Sequence, residues 1–183
     1  EGNTPLHLTF NRHYPNDNMD ILLSLGADIN ASNFNGDTPL HLTFKASTAA
    51  YKELIKFGAN VNASNFNGDT PLHIAAKIKR KKYKPSQKIS LLLEARANPL
   101  IKNIDGNTPL HLISFNQNGD TYIKQSIDIL LQSGSDLLSK NSSGYTPLHL
   151  AVGHCKLNAA KALIEAGANP LIQSNNGDTP LHI

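Results

Sequence analysis

Five dense clusters of apolar residues recur along the chain, and within three residues each is followed by a short triplet that begins with glycine in all units but one. The clusters span residues 21–25, 54–57, 89–93, 127–131 and 163–164, and the triplets begin at Gly26, Gly58, Arg96, Gly134 and Gly167. Glycine readily takes the left-handed conformation that closes a helix. In two units a proline follows, at Pro99 and Pro170, and proline cannot continue a helix. The pattern therefore predicts that a helix ends at each triplet.

A second recurring feature is the tetrapeptide Thr-Pro-Leu-His, which has a glycine two residues before it. Its threonines are Thr4, Thr38, Thr70, Thr108, Thr146 and Thr179. Threonine is a good N-cap residue, and proline suits the first helical position, where its missing N–H costs nothing. Each tetrapeptide therefore predicts the start of a short first helix, and the apolar cluster that follows predicts a second helix.

The spacing of these two markers divides each unit into a fixed half and a variable half. From the triplet to the next threonine the distance is always 12 residues, whereas from threonine to triplet it varies from 20 to 26. The fixed half carries asparagine and glycine, which tolerate positive φ angles in turns. We therefore predict an extended finger with a tight turn in the fixed half, and we place all insertions between the two helices.

The units are also copies of one another, since residues 30–41 recur letter for letter at 62–73. Self-similarity at this period indicates a repeat protein, in which neighbouring units stack without a single central core. These residues, above all the recurring Gly-x-Thr-Pro-Leu-His, resemble ankyrin repeats over the whole chain. The resemblance implies an all-α solenoid of stacked helix-turn-helix units with β-hairpin fingers, which serves as a protein-binding scaffold.

On this resemblance, residues 1–183 form a single array of five full repeats and the start of a sixth, with units starting near residues 2, 36, 68, 106, 144 and 177. Both ends fall inside a unit and no polar capping repeat is present, so we expect a monomeric array that is a fragment of a longer protein.

The single cysteine, Cys155, fits a reducing compartment, and no apolar run approaches the roughly 20 residues of a membrane span. We expect an intracellular protein, either cytoplasmic or nuclear.

Two features depart from the family pattern. Arg96 stands where the other triplets have glycine, and a non-glycine residue in the left-handed region costs about 1–2 kcal/mol. Phe10 and Phe44 stand where the family places alanine in the first helix, so the family pattern does not predict the local packing of the first two units.

The histidines raise the question of a metal site, but six of the eight belong to the tetrapeptide, one in each unit. Stacked helices lie about 8–10 Å apart, whereas zinc–nitrogen bonds are about 2.0–2.1 Å long. Successive histidines therefore cannot share one ion. We predict instead that each ring hydrogen-bonds locally and ties its turn to a neighbour. No metal and no cofactor is expected.

Nothing in the sequence indicates catalysis. The acidic residues are scattered without a recurring close pair, and no phosphate loop, dinucleotide fingerprint or zincin motif occurs. His154 and Cys155 are adjacent, and adjacent residues do not face each other on a helix. We therefore expect that the chain is not an enzyme. The alternative is an accessory segment of an enzyme whose catalytic domain lies outside these residues.

One short stretch accounts for the basic charge of the chain. Its seven cations, with no acid among them, are Lys77, Lys79, Arg80, Lys81, Lys82, Lys84 and Lys88. Such a run is typical of contacts with nucleic acid or another polyanion, and it also resembles a nuclear import signal. The other interpretation is a solvated loop between two helices, and the sequence leaves these alternatives open.

The surface that we predict to bind a protein partner is the row of finger tips. Phe34, Phe66 and Ile104 stand two residues before the glycine of three successive fingers, where the family has polar residues. Aromatic residues are enriched at binding hot spots, although each ring could instead lie back on the adjacent finger. The concave face of the first helices, with Phe10 and Phe44, is a further candidate.

Near-identical fingers and an asparagine-rich composition fit a microbial protein directed at a host partner.

Overall fold

The computed structural model describes residues 1–9, 17–79, 85–115 and 120–183 of the chain, and the regular elements in these ranges are all helical. The first helices of successive units are α1 (Pro5–Leu8), α3 (Pro39–Leu42), α5 (Pro71–Ala76), α7 (Pro109–Ser114) and α9 (Pro147–Gly153). The second helices are α2 (Asp17–Ser24), α4 (Thr48–Lys56), α6 (Pro85–Glu94), α8 (Asp120–Gln132) and α10 (Leu157–Glu165). A 3₁₀ turn, Pro180–His182, follows α10. Within these ranges, no helix has the length and apolar character needed to cross a bilayer.

Each first helix begins where the tetrapeptide predicts. The preceding threonine is extended, with φ between −72° and −90° and ψ between 163° and 168°, and proline takes the first helical position. This is the geometry in which proline loses no hydrogen bond, because its N–H is not needed in the first turn. The prediction of short first helices is confirmed, since they run from four residues in α1 to seven in α9.

The second unit shows how its first helix differs where phenylalanine replaces alanine. Here α3 gives way to a 3₁₀ turn, Thr43–Lys45, whereas α5 of the third unit continues as α-helix through the equivalent alanines at 75–76. The hydroxyl of Thr43 donates to the carbonyl of Leu40 at 2.6 Å, a local bond that competes with regular helix geometry. Phe44 is half-buried in this turn, whereas both alanines are fully buried.

Each second helix ends at its triplet in the left-handed conformation that the sequence predicts. The φ angles are 87–94° at Gly26, Gly58, Gly134 and Gly167, and 66° at Arg96. The N–H of the next residue then donates to the carbonyl five positions earlier, as from Ala97 to Leu92 at 2.9 Å, which satisfies a carbonyl that the helix end leaves free. A second non-glycine residue, Cys155, has a φ of 54° between α9 and α10, which the sequence did not indicate.

The fingers between the helix pairs are tight turns. In the first finger the N–H of Asn33 donates to the carbonyl of Asp37 at 3.0 Å, and the N–H of Gly36 donates to the carbonyl of Asn33 at 2.9 Å. Adjacent fingers are joined by isolated backbone bonds, such as that from Phe66 to Asn35 at 3.0 Å. Isolated bonds do not make a β-ladder, and no strand occurs in the part of the chain that the structure describes. The strands of the predicted hairpins are therefore not confirmed.

The helices form two layers around a continuous apolar strip. Along one layer the first helices contact one another from α1 to α9, and along the other α4, α6, α8 and α10 do the same. The tetrapeptide leucines are buried between the layers, namely Leu6, Leu40, Leu72, Leu110 and Leu148. Tyr51, Ile89, Ile127 and Leu163 of the second helices are buried against the same strip. The finger tips project from this core, which leaves them available at one edge of the array.

Candidate functional site

Three apolar side chains at successive finger tips remain exposed. The exposed fractions are 76% for Phe34, 74% for Phe66 and 68% for Ile104, and we call these three residues the tip row. The N–H of Phe66 donates to the carbonyl of Asn35, and that of Ile104 donates to the carbonyl of Asn67, both at 3.0 Å. Because each tip is bonded to the finger before it, the three side chains follow one another along the same edge of the array.

The two phenylalanine rings pack on the glycine of the preceding finger and still face solvent. A Cβ atom added to Gly2 would overlap the Phe34 ring, and one added to Gly36 would lie 2.8 Å from Cδ1 of Phe66. The φ angles of these glycines, 63° and 75°, also disfavour any other residue. One side of each ring therefore lies on the adjacent finger, which is the alternative that the sequence had left open. About three quarters of the residue nevertheless stays exposed.

A ladder of four asparagines, three of them buried and Asn141 half-buried, fixes the fingers, and the sequence reasoning missed it. Oδ1 of Asn103 accepts the N–H of Asp105 at 3.1 Å and that of Asn107 at 3.0 Å, while its Nδ2 donates to Oδ1 of Asp69 in the preceding finger at 3.0 Å. The same three bonds recur at Asn33, Asn65 and Asn141. The signal was present in the sequence as an asparagine three residues before the glycine of four successive fingers; the next has Ser174 there.

The tetrapeptide histidines join neighbouring units, which confirms the sequence prediction. In His41, Nδ1 accepts the N–H of Thr38 at 3.1 Å, while Nε2 donates to the carbonyl of Asp69 at 3.0 Å. Because Nδ1 is an acceptor, the proton lies on Nε2 and the ring is neutral. The same arrangement toward the following unit recurs at His7, His73, His111 and His149.

Burial lowers the pKa of these histidines, because a buried imidazolium loses its solvation. The pKa values of His41, His73 and His149 lie below the ordinary value, and that of His111 is lowered to about 4. Asp69 lies near both His41 and His73 and opposes the shift without reversing it. With both nitrogens held by the backbone, these rings are poor metal ligands. Within the described ranges no three His, Cys, Asp or Glu side chains form a metal site.

The structure places the described residues of the basic stretch in different surroundings. Lys77 and Lys79 are both exposed, but Lys77 forms an ion pair with the buried carboxylate of Asp69. The predicted polyanion contacts at Arg80, Lys81, Lys82 and Lys84 lie outside the described residues. Within the described part of this stretch, Lys79 therefore fits a solvated loop or a polyanion contact, whereas the charge of Lys77 is paired with Asp69.

The predicted polyanion contact at Lys88 is wrong, because the side chain of Lys88 is buried and a polyanion cannot reach it. It is fully buried in α6, and its Nζ donates to the carbonyls of Phe44 at 2.7 Å and Ala46 at 2.8 Å. Nζ also lies 4.9 Å from the centre of the Tyr51 ring, and burial lowers the pKa of Lys88 to about 8. Lys88 thus connects the third unit to the end of the first helix in the second unit.

The predicted concave-face residues are placed only in part. Phe10 lies outside the described residues. Phe44 is half-buried in the 3₁₀ turn of the second unit, and its carbonyl is held by Lys88. Phe44 therefore offers a partner less surface than the tip row does.

A solenoid of helix pairs with projecting turns and a repeated Thr-Pro-Leu-His contact is the arrangement found in ankyrin repeats. The family model for ankyrin repeats (3 copies) matches three overlapping stretches, residues 6–84, 43–127 and 122–183. The matches extend over nearly all of the sequence, and the chain belongs to the ankyrin repeat family. Ankyrin repeats are in general protein–protein interaction modules, and the family is typically non-catalytic. Among curated proteins, none matched the chain.

Proposed function

We propose that the chain is a non-catalytic module that binds a protein partner through the tip row. The observation that supports the proposal is the exposure of Phe34, Phe66 and Ile104 at three successive tips. An apolar residue exposed singly is ordinary, but apolar residues in a row along one edge are typical of an interaction site. The concave face of the first helices, with Phe44, belongs to the same proposed surface.

Burial of the tip row by a partner can contribute as much binding free energy as a hot spot of a protein interface. Complete burial of a phenylalanine or isoleucine side chain contributes about 1.5–3 kcal/mol. Three side chains that are mostly exposed in the free protein therefore contribute several kcal/mol. A micromolar Kd corresponds to about 8 kcal/mol, and association itself costs at least about 4 kcal/mol. The tip row can thus supply the centre of an interface, and polar contacts from the fingers and helices must supply the rest.

The hydrogen bonds within the fingers support this role because they hold the tips in place before a partner arrives. The asparagine ladder closes each turn and links it to the finger before it. The histidines fix the following helix to the next finger. A preorganised surface loses less conformational entropy on binding than a flexible one, so more of the contact energy appears as affinity.

Affinity capture from a lysate tests the proposal with a matched pair of variants. Phe34→Ala/Phe66→Ala removes two tips, whereas Leu25→Ala/Leu171→Ala removes two apolar side chains of similar exposure, 79% and 72%, elsewhere on the surface. We expect a discrete protein to be retained by the wild type and by the control, and lost by the tip variant.

Circular dichroism of both variants serves as the folding control for this capture. All four substituted side chains are largely exposed, so both variants are expected to keep the wild-type helical signal. If the tip variant retains the same protein as the wild type, the tip row is not the binding surface.

A further inference from the structure

The tip row presents its side chains at the interval of the repeat. Phe66 is bonded to the finger of Phe34, and Ile104 is bonded to the finger of Phe66, so the tips advance together with the stacked units. Stacked helices lie about 8–10 Å apart. A single partner segment that contacts all three tips must therefore place a side chain on one of its faces at this interval.

This interval restricts the conformation of the partner. On one face of a β-strand, side chains recur at about 6.4–6.8 Å, which is too short, and the next repeat is too long. A polyproline II helix fits, because one turn of three residues advances about 9.3 Å. An α-helix also fits, at every seventh residue or about 10.5 Å. The interval alone therefore leaves two conformations.

Two asparagines beside the tips favour polyproline II over the α-helix. Asn35 and Asn67 are exposed and follow directly after Phe34 and Phe66. Their backbone N–H groups are bonded within the fingers, whereas their side-chain amides have no hydrogen-bond partner among the described residues. These amide donors can bind a carbonyl of the partner. A polyproline II segment leaves its carbonyls free, whereas an α-helix uses its carbonyls internally.

The charge around the tips defines a further property of the partner. Asp37 is half-buried in the first finger and Asp105 is exposed in the third, while Glu1, also exposed, precedes the first finger. The exposed Lys102 directly precedes the third finger, and its Nζ donates to the carbonyl of Lys140. The three finger turns at residues 33–37, 65–69 and 103–107 contain no lysine or arginine. A partner segment that carries a basic residue next to its apolar residues is therefore attracted to this edge, and an acidic segment is repelled.

From these observations we propose that the tip row binds an extended segment of a partner protein in the polyproline II conformation. Its apolar residues occur at every third position, prolines lie between them, and a lysine or arginine flanks them. The apolar residues pack on Phe34, Phe66 and Ile104, and the amides of Asn35 and Asn67 donate to the carbonyls between. The inference rests on the proposed function and specifies the partner of that surface.

Selection from a random peptide library tests the spacing directly. Peptides of roughly 16 residues, about five polyproline II turns, are selected on the wild-type chain and depleted on Phe34→Ala/Phe66→Ala. We expect the tip-dependent peptides to be enriched in apolar residues three apart, in proline and in lysine or arginine. A spacing of two or of seven would overturn the extended conformation and leave the proposed function standing.

A synthetic probe tests the role of the asparagines. The probe is a fluorescent peptide, Arg-Leu-Pro-Pro-Leu-Pro-Pro-Leu-Arg, and its control has the same composition with the leucines adjacent. By fluorescence anisotropy we expect the control peptide to bind at least about tenfold more weakly, and the Asn35→Ala/Asn67→Ala variant to lose a similar factor for the probe. Equal affinities in either comparison, or no binding of the probe, would overturn the inference. The capture experiment above judges the proposed function separately.

Discussion

Arg96 holds a backbone conformation that glycine holds in the other four units. Its φ is 66°, and an L-residue there costs about 1–2 kcal/mol because Cβ approaches the following carbonyl. The main contact at this position is made by the backbone, since the carbonyl of Arg96 accepts the side-chain amide of Asn62 at 3.3 Å. Removing the side chain therefore relieves strain without breaking that contact.

We expect Arg96→Gly to raise the free energy of unfolding by about 1 kcal/mol, after allowance for the greater freedom of glycine in the unfolded chain. Chemical denaturation followed by circular dichroism measures the change. The matched control is Gly58→Ala, which puts a side chain at a φ of 91° where no atom lies within 4 Å, so it adds backbone strain alone and is expected to destabilise. A stability of Arg96→Gly equal to or below wild type would contradict the strain at this residue.

At the scale of the element, the finger depends on one buried asparagine. Asn103 accepts two backbone N–H groups of its own turn and donates to the buried carboxylate of Asp69. Its replacement leaves several buried polar groups without a partner, and such groups lose the solvation that they had in the unfolded chain.

We expect Asn103→Ala to lower the free energy of unfolding by about 1–3 kcal/mol. The matched control is Ser174→Ala at the equivalent position of the fifth finger, where the hydroxyl accepts the N–H of Asn176 at 3.2 Å. Fewer bonds are lost there, so the control is expected to destabilise less. Urea denaturation of the two variants measures how much free energy of unfolding each has lost. Equal losses would mean that the ladder bonds of Asn103 add no stability.

The first helices depend on neutral histidines, which makes the array sensitive to acid. His41, His73, His111 and His149 have folded pKa values below the unfolded value of about 6.5, and that of His111 is about 4. Between these two values the unfolded chain binds protons that the folded chain does not. The free energy of unfolding must therefore decrease as the pH falls below about 6.5.

We expect urea denaturation between about pH 7 and pH 5 to show stability that falls with decreasing pH, by at most about 1.4 kcal/mol per pH unit for each histidine. The range stops at about pH 5 because carboxylates begin to titrate below it. His111→Gln is expected to be less stable at neutral pH and to show a shallower decrease. Stability that does not change over this range, or the same slope in the variant, would contradict the neutral histidines.

The starts and ends of the helices could be predicted because they depend on local chemistry. Proline after an extended threonine begins a helix wherever it occurs, and the left-handed residue that ends one was recognised even at Arg96. Lys88 could not be placed, because its burial depends on the carbonyls of a neighbouring unit rather than on its charged sequence surroundings. The absence of strands in the described fingers also could not be predicted, because it depends on the hydrogen bonds between units. The ladder at Asn103 could have been predicted from the repeated asparagine.

At the scale of the whole molecule, stability and shape come from contacts between neighbouring units. Four interfaces combine a buried leucine, a histidine and an asparagine. The last interface has Tyr145 and Ser174 at the positions equivalent to the ladder partners, and it lacks the side-chain bond of the ladder. The same contacts set the direction of the fingers. The repeat therefore produces one edge on which Phe34, Phe66 and Ile104 are held in a row, and the candidate binding surface is a consequence of the stacking.

Site-specific photocrosslinking tests most directly the claim that a protein binds this row. p-Benzoylphenylalanine replaces Phe66 in one sample and the comparably exposed Leu171 in another, and each is irradiated both in untreated lysate and in nuclease-treated lysate. We expect a discrete protein to be crosslinked from position 66 and not from position 171, because a partner on the tip row covers the first and not the second. Equal crosslinking from both positions, or crosslinks that disappear with nuclease treatment, would contradict a protein-binding role for the tips.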